Sequence, residues 1–344
     1  MKPGPALVAL GMCALSALTA APTLSAGAPR PAPIKAAYFY SYMSQGHLDS
    51  LAAAGFNRAI IKCISDSLGT RGAAEIKSFM ERGRELGIEI APEWSLQARA
   101  RLNALPTSRR YTWDDGHVEA DVGCPLDSPF WRSALLDRAS EVLAAVPAAR
   151  RLVVDLEIYT GSRHHYDAGP CRCSTCLGEF ARSGRGGNPG NSSALEAFEE
   201  DRLTHILAVL LGEFAKEHPG IELGVFDLDF DSFVHRAMAR ALVQANVPTV
   251  DYTERTYSRG GAEIAAVRAA LGPGVPLIVG LYLKRFTPGA LADSVQSVVR
   301  RADGYFIFST YSLWQDPKRL AGAYTLAGPP GQYWTALRRA NGAR

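Results

Sequence analysis

Strict alternation of short β-rich runs with helical stretches predicts a single-domain α/β fold, a (β/α)8 barrel of the TIM type, for this chain of 344 residues. Three observations carry the expectation. Eight apolar runs recur with helices between them, most runs close on ionisable or hydroxyl groups, and no internal repeat or second domain is visible. A doubly wound open sheet is the structural alternative. No G-x-G-x-x-G follows the first run, so nucleotide binding lacks support.

The predicted strands cover residues 34–40, 58–63, 88–94, 152–157, 221–227, 249–252, 277–282 and 305–309. Helical periodicity falls between them, at residues 73–86, 130–145, 194–217, 233–245, 261–271 and 288–301. Polar strand ends are Tyr40-Ser41, Glu93-Trp94, Asp155-Leu156-Glu157, Asp227, Asp251-Tyr252 and Ser309-Thr310. In this fold the carboxyl ends of the strands share one rim, and chemistry collects there. Two connections are long: residues 95–127, and the segment after the fourth strand, which ends in a Gly/Ser/Asn run at residues 183–193. Long loops on that rim serve as lids or substrate walls.

Ahead of the barrel, Lys2, an apolar stretch at residues 6–18 and Leu24-Ser25-Ala26 read as a secretory signal peptide over residues 1–26. It is too short for a membrane span. A Pro/Ala-rich tether over residues 27–33 then leads into a catalytic domain at residues 34–344. The expectation is a secreted or periplasmic protein with no membrane attachment once the signal is cleaved. A hydrophobic content of 47% with 21% charged residues supplies ample core. A formal charge of +3 with no long basic run argues against a nucleic-acid partner.

The fourth strand shows how chemistry enters. Period two sets Val153, Asp155 and Glu157 on one face and Leu152, Val154 and Leu156 on the other. The aliphatic face is expected to pack on helices, and the other to deliver two acids into the barrel mouth. Adjacent inward carboxylates repel, which points to a functional reason for the pair. A solvated strand end is the plain alternative.

Cysteines supply the second signal. Cys124 stands alone, and Cys171, Cys173 and Cys176 form C-x-C-x-x-C soon after the acidic strand end. Four thiolates at such spacing suit a structural tetrahedral zinc ion that pins the loop leaving the fourth strand. In an exported chain disulfides are the alternative, for instance Cys124 with one of the triplet. Cys63, in an apolar run, reads as a buried small hydrophobe. No organic cofactor is expected.

Cys124-Pro125, then Ser128-Pro129-Phe130, a helix, a strand ending in Glu157-Ile158-Tyr159, and the cysteine triplet before Phe180 are similar in order to the family 42 β-galactosidases of the glycoside hydrolase barrels. In that family a cysteine before the catalytic strand and a C-x-C-x-x-C after it bind a structural zinc. The resemblance spans roughly residues 124–180 and implies that Glu157 is the acid/base. Leu156 stands where that family has asparagine, and the seventh strand, Gly280-Leu281-Tyr282-Leu283-Lys284, lacks its glutamate nucleophile. Asp155-x-Glu157 resembles instead the D-x-E of family 18 chitinases, where the substrate's acetamido group is the nucleophile. That resemblance implies that Asp155 orients the acetamide and Tyr252 assists.

The sequence therefore predicts a hydrolase of a poly- or oligosaccharide, with Glu157 as general acid/base and Asp155, Asp227 or Asp251 as partner. Tyr40, Trp94, Tyr159, Tyr282 and Trp314 are candidate stacking surfaces for sugar rings, and Lys284 a candidate charge contact. Tyr38, Trp113 and Lys62 also fall near the rim. G-x-S-x-G and H-E-x-x-H are missing, so neither a serine triad nor metal-driven hydrolysis is supported. A barrel that binds glycans without cleaving them is the alternative from another class.

Overall fold

The computed structural model describes residues 31–39, 44–62, 70–96, 106–156, 169–185, 188, 190–227, 232–253, 261–272, 274–314 and 325–343. The expected signal peptide and most of the tether lie outside those residues, as do Tyr40, Cys63, Glu157 and Tyr159. The unit Pro33–Arg344 carries the barrel.

Eight parallel strands close on themselves: β1 Ile34–Phe39, β2 Arg58–Lys62, β3 Glu89–Ser95, β6 Arg151–Asp155, β7 Glu222–Asp227, β8 Thr249–Thr253, β9 Leu277–Tyr282 and β10 Gly304–Phe308. Each predicted run therefore forms a strand. The remaining pair, β4 Arg110–Thr112 and β5 Val118–Gly123, makes an antiparallel hairpin inside the long connection between β3 and β6. This hairpin differs from the loop expected over residues 95–127: β4 has only three residues, too few to show an alternating pattern.

Helices α1 Gln45–Ala53 and α2 Thr70–Leu86 follow the first two strands. After β5 come α3 Ser128–Trp131, a π-helical stretch Arg132–Asp137 and α4 Arg138–Ala145. Then follow α5 Ser174–Arg182, α6 Ser192–Glu217, α7 Phe233–Gln244, α8 Gly261–Leu271, α9 Pro288–Val299 and α10 Pro330–Asn341. Asn191 caps α6 by accepting from the Ala194 backbone N–H, and Thr287 does the same for α9 before Pro288. These caps satisfy first-turn N–H groups and fix where the two helices begin.

Period two divides every strand between two cores. The inner core takes Ala36, Tyr38, Ile60, Ala91, Val153, Phe226, Val250, Tyr252, Ile278 and Phe306. Strand residues of opposite phase, such as Leu152, Val154, Leu223, Val225, Leu277, Val279 and Ile307, bury outward on the helices. Gly224 is required by this interior: a Cβ there would stand 2.7 Å from the Tyr252 ring and 3.1 Å from Val153.

The amino end of the barrel is closed by charge. Arg58, Glu89, Arg151 and Glu222 open four neighbouring strands, and they alternate in sign. Arg58 reaches Glu89 and Glu222, each at 3.0 Å, while Arg151 reaches the same two carboxylates at 2.8 and 3.4 Å. Arg58 is only 2% exposed, so its charge is tolerated because partners surround it.

Candidate active site at the carboxyl end

The last inward residues of the strands divide the mouth into two arcs. Lys62 on β2, Glu93 and Ser95 on β3, and Asp155 on β6 form a polar arc over three neighbouring strands. Registers pair Lys62 with Glu93 and Ser95 with Asp155, so the groups lie in adjoining rows. Phe226 on β7, Tyr282 on β9, Phe308 on β10 and Tyr38 on β1 form an aromatic arc. Tyr38 meets Phe226 at 5.5 Å and Phe308 at 5.8 Å, and Phe308 meets Tyr282 at 5.3 Å between ring centroids.

Strand four follows its expected phase. Leu152, Val154 and Leu156 bury against helices, while Val153 and Asp155 face the interior. Asp155 is 6% exposed and level with Ser95 and Phe226 on the flanking strands.

Glu93 is the residue that sequence reasoning passed over as a site. It is completely buried; its Oε2 accepts from the Tyr38 hydroxyl at 3.2 Å, and its Oε1 has no hydrogen-bond partner among the described residues. Burial pushes its pKa above the ordinary carboxylate value, against the pull of the Lys62 ammonium and the Tyr38 hydrogen bond. The signal was present in the sequence: Glu93 shares the phase of Ala91, and Trp94 has the opposite one.

That phase corrects the assignment of Trp94. Its ring lies outside the barrel, where Nε1 donates to the Ala134 carbonyl at 2.9 Å within the helix-facing core. Asp251 is corrected for the same reason. It shares its face with Thr249 and Thr253, and its Oδ2 lies 2.7 Å from His235 Nε2 on α7. Tyr252 does point inward, but its hydroxyl accepts from Arg58 at 2.6 Å, toward the amino end and away from the mouth. Burial pushes that phenol up to about 12.

The remaining candidates scatter. Trp314 packs edge-on against His47 and Trp334, at 4.8 and 5.0 Å, beside the helices. Trp113 donates to Glu119 and is buried. Lys284 lies in a short 3-10 turn, Leu283–Arg285, and is partly exposed. Asp227 ends β7 in register with Thr253, and its side chain lies outside the described residues. Glu157, Tyr159 and Tyr40 lie outside them entirely.

Beside the mouth, the four cysteines come together. Their sulfur atoms all lie within 4.8 Å of one another, every one is buried, and none forms a disulfide. Cys124 Sγ stands 3.4 Å from Cys176 Sγ and 3.5 Å from Cys173 Sγ. A tetrahedron of thiolates on zinc, with bonds of ~2.3 Å, has sulfur–sulfur edges of about 3.8 Å. The cluster therefore fits a four-coordinate metal ion and is too open for the ~2.05 Å of a disulfide bond. Hydrogen bonding within the cluster pushes the Cys173 thiol below the usual thiol range and, together with burial, pushes Cys124 and Cys176 above it.

The cluster joins two rim segments. Cys124 directly follows β5, whereas Cys173 caps the start of α5. The Arg172 backbone N–H donates to the Thr112 carbonyl at 2.8 Å, and the Tyr111 hydroxyl donates to the Gly169 carbonyl. Glu199 on α6 lies beneath, accepting from the Cys171 backbone N–H at 2.9 Å. Burial pushes Glu199 up to about 8, despite that hydrogen bond.

No family model and no curated protein matches this chain. Among solved structures, the barrel is similar to a β-galactosidase from the psychrophilic Marinomonas ef1, with a TM-score of 0.59 and 10% identity. It is also similar to α-L-fucosidase isoenzyme 2 from Paenibacillus thiaminolyticus, with a TM-score of 0.53 and 9% identity. Each match covers 90% of this chain, but only 59% of the galactosidase and 49% of the fucosidase. The chain thus spans about half of such proteins, and at these identities the likeness is one of fold. Glycosidases are built on the same closed barrel.

Proposed function

We propose that the chain is an exported glycoside hydrolase, whose substrate sugar sits across the two arcs of the mouth. The observation that carries this reading is the division itself. A pyranose has an apolar C–H face and a rim of hydroxyls, and aromatic groups opposite a carboxylate and an ammonium complement both. The zinc ion read from the four cysteines would be structural, tying the β4–β5 hairpin to the segment that leaves β6.

The geometry favours one partner for Glu157. Asp251 faces the helices and Glu93 is sealed beneath the mouth, which leaves Asp155 as the inward, rim-level carboxylate among the described side chains. Asp155 and Glu157 stand two positions apart in the sequence, a spacing suited to approaching a substrate from the same side. They suit an acid and an orienting group better than two carboxylates flanking a bond. We therefore assign the substrate to glycosides of 2-acetamido sugars. Glu157 protonates the leaving oxygen while the acetamide oxygen attacks the anomeric carbon, and Asp155 holds the acetamide N–H as positive charge develops. Water, deprotonated by Glu157, then opens the cyclic intermediate with retained configuration.

Purified protein incubated with a panel of N-acetylated and non-acetylated oligosaccharides tests this reading. Cleavage confined to acetylated substrates and abolished by Glu157→Gln supports it. Turnover that survives Glu157→Gln removes Glu157 from the mechanism. Binding without turnover by the unaltered protein establishes the non-catalytic barrel instead, a reading favoured by Tyr282 at the end of β9, where the family 42 arrangement has its nucleophile.

A further inference from the structure

A cavity lies at the amino end of the barrel, opposite the mouth. Its volume is about 710 Å³, and its walls come from α2, the turn into β3 and the segment between α4 and β6. Small-molecule sites occupy roughly 300–1,000 Å³, with mostly apolar walls and a few polar groups that orient the ligand. This cavity has that composition. Met80, Ile88, Ile90 and Val146 supply apolar wall, and Pro147 and Ala148 continue it toward solvent.

Charge around this wall is unbalanced. Glu89 and Arg151 also line the cavity, but they satisfy each other within the four-residue ring at the amino end. Outside that ring stand Lys77, Arg84 and Arg150, against the single carboxylate of Glu81. None of these three cations pairs with a carboxylate among the described residues. Arg150 donates only to the backbone carbonyls of Pro147 and Ala149, at 3.3 and 3.4 Å. Lys77, Glu81 and Arg84 recur along one side of α2, with Arg150 contributed by the segment before β6.

We propose that this cavity binds a small amphiphilic anion, an alkyl or aryl phosphate or carboxylate. Its apolar body lies on Met80, Ile88 and Val146, and its head sits among Lys77, Arg84 and Arg150. An uncharged ligand would leave the cations unpartnered, and a bare inorganic anion would leave the apolar wall wet. Both parts of the ligand are needed, because solvent screening leaves exposed ion pairs weak by themselves. The inference does not depend on the hydrolase reading, since the cavity shares no residue with the mouth.

Titration calorimetry on the full chain at low salt tests it with octyl phosphate, and with 1-octanol and inorganic phosphate as separate halves. The expected result is saturable binding of octyl phosphate at least ~10-fold tighter than either half, weakened ~10-fold or more by Arg84→Glu with Arg150→Glu. Ala148→Trp, at an exposed wall position, should block binding while the melting temperature holds. Equal affinity for 1-octanol, or binding untouched by both the charge reversal and Ala148→Trp, overturns the proposal. So does attachment to phosphatidylglycerol vesicles without binding of soluble octyl phosphate, which would make the face a membrane contact.

Discussion

His235 Nε2 stands 2.7 Å from Asp251 Oδ2, with both side chains almost wholly buried between α7 and the outside of β8. The pair ties a helix to the barrel wall. It also removes Asp251 from the mouth, where its place near a strand end would otherwise put it. A buried partner left alone is costly, because its charge or polar group has lost water without gaining a substitute.

Asp251→Ala should therefore destabilise the fold by about 3 kcal/mol or more. It should leave any sugar binding at the mouth intact. Urea denaturation read beside ligand-induced melting shifts separates the two effects. Loss of sugar binding at full stability would return Asp251 to the site.

Arg58 holds Glu89, Glu222 and the Tyr252 hydroxyl at once. Arg58→Ala leaves Glu89 and Glu222 with Arg151 alone and the buried Tyr252 hydroxyl without its donor, and about 1–3 kcal/mol of stability should be lost. A denaturation midpoint equal to that of the unaltered protein would show that the ring contributes nothing.

Glu93 makes stability depend on pH in a stated direction. Burial raises its pKa in the folded state, so the folded protein keeps a proton that the unfolded chain releases. Its contribution is fully present below the unfolded carboxylate value of ~4.3 and is lost as pH rises through the folded value. Glu93→Gln should flatten that part of the stability curve and leave the protein at least as stable at neutral pH. Lys62→Met should steepen the curve, because the ammonium opposes the raised pKa. A Glu93→Gln curve parallel to the wild-type one refutes the assignment.

Asp155→Asn keeps the shape and removes the charge beside the proposed acid. On an acetamido substrate kcat should fall about 10²–10³-fold, the scale of losing one electrostatic stabiliser. KM should change far less. Steady-state kinetics decide it, and an unchanged kcat would take Asp155 out of the chemistry.

The cysteine cluster predicts about one zinc per chain, released when the thiols are modified. Cys173→Ser should lower both the metal content and the melting temperature. Elemental analysis paired with thiol counting is the check. Metal-free protein with four reactive thiols and unchanged melting would eliminate the site.

Much of this molecule was legible in its sequence. Residues of phase two in short apolar runs placed eight strands within a residue or two of their ends, since burial on both faces leaves few other solutions for such runs. Asp155 was assigned its inward face, and the four cysteines their common site, from spacing alone. The hairpin β4–β5, the short helix α1 and the terminal helix α10 lie outside the predicted elements, although Ser44 ahead of α1 and the Pro330 and Gly342 that bound α10 are local start and stop signals.

Tertiary structure decided which polar strand ends face the mouth. Glu93 and Trp94 are neighbours in the chain, yet one closes the floor of the site and the other packs on a helix. Asp251 and Tyr252 divide in the same way, one toward α7 and the other toward Arg58. An apolar face marks the helix side of β3 and β6, but β8 reverses that pattern, with Asp251 facing a helix; its phase is set only when eight registers close together and each side chain must fill one layer. The sequence by itself determined the barrel, the grouping of its four cysteines and the acidic strand, whereas closure of the sheet selected Lys62, Glu93 and Asp155 as the polar half of the mouth.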